Sequence, residues 1–501
     1  MTRFKTVISM ASAAALLSGS AAIADVTAAQ VWEDWKKNFE IYGEDAITIG
    51  GESTLGGTIT ISDIAIDFSD QTTNINVAVG DITFAEQGDG TVSITMEQSM
   101  PITIGATDTA GAMTMDVTNT GLSIIASGAP GAMTYDAKAD QYAMRIDEIT
   151  EDDGSVVAGQ IYVAGNNFAG QYTTSGTDMR EIAYNVALGS MDLLVDVTDP
   201  IDGGQFVMSG QLNDMTGAAN VVMPAGMSMD DPDTMFADGF DVSGGYAFGG
   251  ANYLFDVDAD GSKASGTVSM GSGSIDLDLG ADKIGYGGAV TDVAMAIQSM
   301  DFPFPISISL AEYGFGLQIP MQKTEEPADF GFSINLTELA VNDEIWMLGD
   351  PMGALPHDPA TLRLDLGGTV KLFNDLMDPS QAQSMAMGGT PGEIHSVTLN
   401  ELTLDIAGAL LTGMGGFTFD NSDLSTIPGI PRPNGEITVN LKGANKLVDS
   451  LVSMGLVPED QAMMGRMMMG MFARVVGDDE LSSTISVNDK GHVLANGQRI
   501  Q

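Results

Sequence analysis

The feature that most constrains this chain is a period of two in its apolar residues, sustained over most of its length. In Thr58-Ile59-Thr60-Ile61-Ser62-Asp63-Ile64-Ala65-Ile66-Asp67-Phe68 apolar and polar side chains alternate, with one slip at Ser62-Asp63 that has the form of a bulge. The alternation returns over residues 74–84, 91–96, 112–117 and 121–125, then over 266–279, 306–310, 330–341 and 361–370. Such segments have an apolar face only as strands, because successive strand side chains point to opposite sides. Between them stand Asp89-Gly90, Asp153-Gly154, Asp260-Gly261 and Asn434-Gly435. These pairs are hairpin signals, since tight turns need the positive φ that Gly tolerates. The expected fold is therefore mainly β: a long antiparallel sheet or sandwich over residues 46–440, with short helices near the N-terminus and C-terminus. Three segments echo one another, residues 59–68 (ITISDIAIDF), 332–341 (FSINLTELAV) and 397–406 (VTLNELTLDI). Each is an alternating strand, a polar-acidic pair and a second alternating strand. A Pro- and Asp-rich stretch at 225–240 marks a soft break within the β region.

The helical segments lie at the ends. Over residues 25–45, Thr27 and Gln30 have the spacing of a capping box, and Ala28, Val31, Trp32, Trp35 and Phe39 share one helical face. That face is expected to plug a sheet. Residues 441–501 combine a helical segment with a terminal hairpin: Leu447, Val448, Leu451 and Val452 make a short apolar face. Pro458 then opens a second helix, with Glu459 and Asp460 in its first turn. In that helix Met463, Met464, Met467, Met468, Met471, Phe472 and Val475 form one stripe ended by Gly477.

The first residues have the composition of an export signal. Arg3 and Lys5 precede an apolar run from Ile8 to Leu17, and Ala22-Ile23-Ala24 offers small residues to a peptidase cutting before Asp25. The run of about ten residues falls short of the roughly 20 a spanning helix requires, and the mature chain has no longer one. The periplasm is the expected location, with the outer membrane or cell surface as alternatives. Without Cys there is neither a lipid-attachment site nor a disulfide.

Charge then excludes function classes. Lys and Arg number 19 against 68 Asp and Glu, a net charge of −49. Such a surface repels phosphate backbones, so nucleic acid is not an expected partner. The three His residues (His357, His395, His492) are far apart in sequence, and no nucleophile elbow or phosphate loop is present. No enzyme activity, resident metal or cofactor is expected. Asp256, Asp258 and Asp260 resemble the opening of a calcium loop, but Thr267 stands where the bidentate Glu belongs. They are weak calcium candidates, and a calcium-dependent surface or adhesion role draws only on the acidity and the Asp-Gly turns. The Met stripe offers soft thioethers that suit copper, yet it shares its face with Phe472 and Val475 and is expected to pack as core or lipid-facing surface. An outer-membrane barrel is the structural rival, although the 6% aromatic content is low for aromatic girdles.

The arrangement of parts resembles an uncharacterised bacterial envelope family, domain of unknown function 2125. The resemblance rests on residues 26–39 (VTAAQVWEDWKKNF), 397–419 (VTLNELTLDIAGALLTGMGGFTF) and 435–455 (GEITVNLKGANKLVDSLVSMG). It implies export and a β-rich architecture, and it carries over no catalytic residue. The functional expectation is a non-enzymatic periplasmic protein whose sheet binds something apolar, a lipid or an envelope-protein partner.

Overall fold

The computed structural model describes residues 25–39, 47–69, 72–176, 179–224, 239–259, 261–376, 390–427, 429–488 and 490–500. Among them, 27 strands form one sheet in which every pairing is antiparallel and most strands pair with their sequence neighbours. Interrupted strands keep a single row. Asp241–Phe248 and Gly250–Ala259 both pair with Gln205–Pro224, and on their other side with Gly273–Gly280 and Ser262–Met270. Residues 266–279, expected as one strand, are accordingly two. The expected break at 225–240 falls largely outside the described residues, and the strands that flank it pair directly. Among the described residues no pairing joins the first strands to the last, so the sheet is open.

A crease runs across this sheet. Asp63, Asn167, Asp214, Asp292 and Glu338 lie inside strands with φ between 50° and 56°. Neighbouring segments meet three of them with glycine, Gly50 abutting Asp63, Gly189 Asn167 and Gly249 Asp214, and the same kind of contact recurs as Gly80 against Glu97 and Gly121 against Asp140. Each kink shifts the alternation by one residue. On strand Met179–Thr198 the run Ile182, Tyr184, Val186, Leu188 continues as Met191, Leu193, Val195, opposite Val221 to Met215 and then Leu212 to Met208. Directly opposed residues share a face, so both halves of each strand turn apolar side chains the same way. Aligned bulges bend and twist these strands at a common level. The three echoing segments each carry this device: register slips at Ser62-Asp63, at Thr337-Glu338 and at Asn400-Glu401.

The buried core sits at the N-terminal end. Helix Ala28–Phe39 is opened by the capping box: the Gln30 amide donates to Thr27 Oγ1 at 3.3 Å, and the Thr27 amide to Gln30 Oε1 at 3.0 Å. Val26, Ala28, Val31 and Trp32 bury themselves against Ile59, Ile61, Ile64, Ile82, Phe84, Ile94, Met133 and Tyr135. Trp32 and Trp35 flank Phe84 with ring centroids 5.7 and 5.3 Å away, and Tyr135 Oη donates to Asp34 Oδ2 at 2.6 Å. Burial and the Asp34 carboxylate push the Tyr135 hydroxyl well above the usual phenol range. The two tryptophans thus plug the sheet as expected; the Phe39 side chain lies outside the described residues.

Other local expectations change. Asn434-Gly435 is no hairpin turn but the interior of strand Arg432–Lys442. A Cβ on Gly435 would stand 2.1 Å from the Gly416 carbonyl oxygen, so this glycine serves a close backbone approach. A helix not foreseen, Asp343–Gly349, interrupts the β region and leads into a loop ordered by Asp350. Buried Asp350 accepts the Ala354 and Leu355 amides at 2.9 and 2.7 Å, which hold its carboxyl below the usual range. At the C-terminus come helices Ala444–Ser453 and Glu459–Phe472. Pro458 caps the second from outside, with φ −63° and ψ 145°, instead of occupying its first turn. Val475 belongs to strand Arg474–Gly477, because its β-branched run pairs with Leu481 and Ser482. The expected terminal hairpin is present, Glu480–Val487 pairing with Val493–Ala495.

Candidate functional site: an open apolar sheet face

Beyond the plugged end the same apolar face continues, and among the described residues no helix packs broadly over it between Asp241 and Leu372. Pairing registers trace it strand by strand. Tyr246 opposes Ile275, Leu277 opposes Tyr286, Tyr286 opposes Leu317, and Leu317 opposes Phe332. The line goes on through Phe332–Leu366, Leu366–Leu399, Val397–Phe417, Leu411–Leu441 and Leu441–Leu481. Between Asp241 and Val487 no charged residue occupies this face of the paired strands. The opposite face carries Asp276, Asp278, Ser307, Ser309, Asp365, Thr369, Glu436 and Thr438. The cations lie there too: Lys283 with Asp278 at 2.6 Å, Lys442 with Glu480 at 2.9 Å, and Arg432 with Asp420 at 2.9 Å. Strong alternation thus sorts an acidic chain into one charged side and one side made of carbon.

The carbon side is open. Tyr246 is 61% exposed, Ile275 47%, Tyr286 43%, Phe332 43% and Ile394 47%, against 0% for Phe84 at the plugged end. Isolated exposed apolar residues are ordinary, but a contiguous exposed patch of this extent marks a binding surface. Glycines flatten it. A Cβ on Gly266 would stand 2.5 Å from Phe255 Cζ, and one on Gly273 2.4 Å from Phe248 Cζ. The rings therefore lie down over glycines of the adjacent strand, a cross-strand pairing that supplies the cover glycine lacks. Further along, Phe315 sits between Tyr286 and Tyr313, centroids 5.0 and 6.0 Å away. From strand Ala132–Thr150 to strand Val493–Ala495, rows about 4.8 Å apart carry the face over roughly 65 Å.

The residues singled out from sequence fall in two places. Met463, Met464, Met467, Met468 and Met471 are all exposed, between 55% and 67%, and Phe472 is 36% exposed. Helix Glu459–Phe472 leans on helix Ala444–Ser453, with Arg466 paired to Asp449 at 2.5 Å, and its buried residue is Ala462. The Met stripe therefore packs neither into the core nor over the sheet face. Asp256 and Asp258 sit on the polar face of strand Gly250–Ala259, and Asp258 is held by the Lys263 ammonium. Asp260 lies outside the described residues. Among the described residues no three His, Asp or Glu side chains converge to hold a metal. Likewise no described helix is long and apolar enough to cross a membrane, which says nothing of strands. His357 stacks on Trp346 at 4.6 Å and meets Asp343 at 3.2 Å, within the Asp350 loop. Sequence reading missed the continuity of the carbon face; the signal was present as uninterrupted alternation, but only the registers join the strands.

Residues 249–497 match the family described as "Uncharacterized protein conserved in bacteria (DUF2125)", so this half of the chain belongs to that family and the resemblance read from residues 397–419 and 435–455 is shown. The helix at 26–39 lies outside the matched residues. No curated protein and no solved structure matches the chain.

Proposed function

We propose that this is a non-enzymatic, exported protein of the periplasm whose open apolar sheet face binds the acyl chains of lipids. The observation that carries the reading is the uncharged face from Asp241 to Val487, exposed at Tyr246, Ile275, Tyr286, Leu317, Phe332, Ile394 and Ile406 and half-buried toward its C-terminal end. A face with no charged group offers nothing to a phosphate or carboxylate headgroup, whereas flexible hydrocarbon gains about 25 cal/mol for each Å² removed from water. The length favours chains over a single small ligand. Half of a bilayer's ~30 Å hydrocarbon core is one acyl chain, several times shorter than the face. Export rests on the basic residues Arg3 and Lys5, the short apolar run and Ala22-Ile23-Ala24.

The test is mass spectrometry of organic extracts from protein purified natively from envelope fractions, beside uptake of a fluorescent fatty acid by stripped protein. At least one lipid per chain is expected, with uptake lost in Phe332→Asp, Ile275→Asp and Leu366→Asp combined. An empty protein that takes up no fatty acid sinks the reading.

A further inference from the structure

We infer that the Met-rich helix Glu459–Phe472 seats the C-terminal edge of the sheet on the surface of a lipid bilayer. The inference rests on the acyl-chain reading above, since a face that carries lipid needs a place to receive it.

The helix sits at the right edge. It is inserted between strand Arg432–Lys442 and strand Glu480–Val487, the last long strands of the sheet. Its C-terminal end is fastened there: Ser483 Oγ and Asn496 Nδ2 both donate to the Phe472 carbonyl, at 2.7 and 2.8 Å. The exposed stripe therefore adjoins the end of the carbon face at Leu481 and Ile485. Its residues span half of the helix circumference, and Val475 and Val476 extend it as exposed apolar residues. The inward side is thin, with Ala462 its only buried residue.

Composition favours lipid over a folded protein as the occupant. Methionine is unbranched and adapts to an irregular apolar surrounding, which suits disordered hydrocarbon better than one fixed partner surface. Residues 461–477 contain no acid in a chain with 68, and they contain Arg466 and Arg474. An interfacial helix lies in the bilayer plane with its apolar side among the acyl chains, and here exposed methionines, with Phe472, supply that side.

The experiment is flotation of the full mature protein with phosphatidylcholine vesicles and with vesicles containing one-quarter phosphatidylglycerol. A second form carries M463Q, M464Q, M467Q, M468Q and M471Q, which keep helix propensity because Gln and Met are near equals. Native protein is expected to float with both vesicles, and the substituted form to lose at least tenfold in partitioning with an unchanged circular dichroism spectrum. After lipid stripping, its uptake of fatty acid supplied in solution is expected to stay as in the native protein, which separates this inference from the reading of the sheet face. Native protein that stays unbound, or a substituted form that floats equally well, overturns the inference. So does a photoreactive residue at position 467 that cross-links to one defined protein and not to lipid.

Discussion

Phe84→Ala and Phe332→Ala remove the same ring from the same face of the same sheet, and they are expected to differ severalfold in cost. Phe84 is fully buried between Trp32 and Trp35, with Ile61, Ile82 and Ile94 in the same core. Truncation leaves a closed cavity under the plugging helix, and such changes cost about 3–5 kcal/mol. Phe332 is 43% exposed with no helix above it. Full burial of a Phe side chain is worth about 1.5–3 kcal/mol; a little over half of that is roughly 1–1.5 kcal/mol, with no sealed cavity to add. Hydrogen exchange on lipid-stripped protein is the assay, followed separately in strands Thr58–Ser69 and Ala328–Val341. A sheet whose rows touch only their neighbours opens locally, so one melting temperature would blur the two effects. Lipid loading is expected to raise protection around Phe332 in proportion to occupancy and to leave Phe84 unchanged. Equal losses for the two variants without lipid would refute the reasoning, because the middle of the sheet would then be as closed as its plugged end.

Three further expectations follow from local geometry. Thr27→Ala removes the hydroxyl that accepts the Gln30 amide and is expected to cost about 1 kcal/mol in protection of the N-terminal helix; an unchanged helix would discard the capping role. Gly435→Ala places a Cβ 2.1 Å from a carbonyl oxygen at φ 148°, so a loss of about 1–3 kcal/mol is expected in urea unfolding of the C-terminal strands; Ala tolerated there would discard the close-approach reading. Asp350 has a carboxyl lowered chiefly by the Ala354 and Leu355 amides. Its contribution is therefore complete above the ordinary carboxylate range and is lost as pH falls through the lowered value. Exchange in residues 350–357 is expected to be flat from pH 5 to 8 in this respect and to rise on acidification, and Asp350→Asn is expected to flatten the acid limb. An acid limb of the same size in that variant would assign the effect to another group.

Sequence by itself determined what is local. The two-residue period gives strands because no other backbone turns every second side chain one way, and the slip at Ser62-Asp63 marked a bulge that the register contains. Thr27 and Gln30 announced a helix start because a capping box is completed within four residues. Asn434-Gly435 misled for the complementary reason: a glycine needed by a neighbouring strand looks the same in sequence as one needed by a turn. Tertiary structure alone decided whether the apolar face is covered. A sandwich core and an open carbon face are written with the same alternation, and they differ only in whether a second layer arrives from elsewhere in the chain. Among the described residues a helix closes over the face at the N-terminal end, where Trp32 and Trp35 flank Phe84, and helix Ala444–Ser453 touches strand Ala409–Asp420 near the other. Over Tyr246, Tyr286 and Phe332 none does among the described residues, and the stripe from Met463 to Met471 faces outward at the far edge because its helix buries only Ala462.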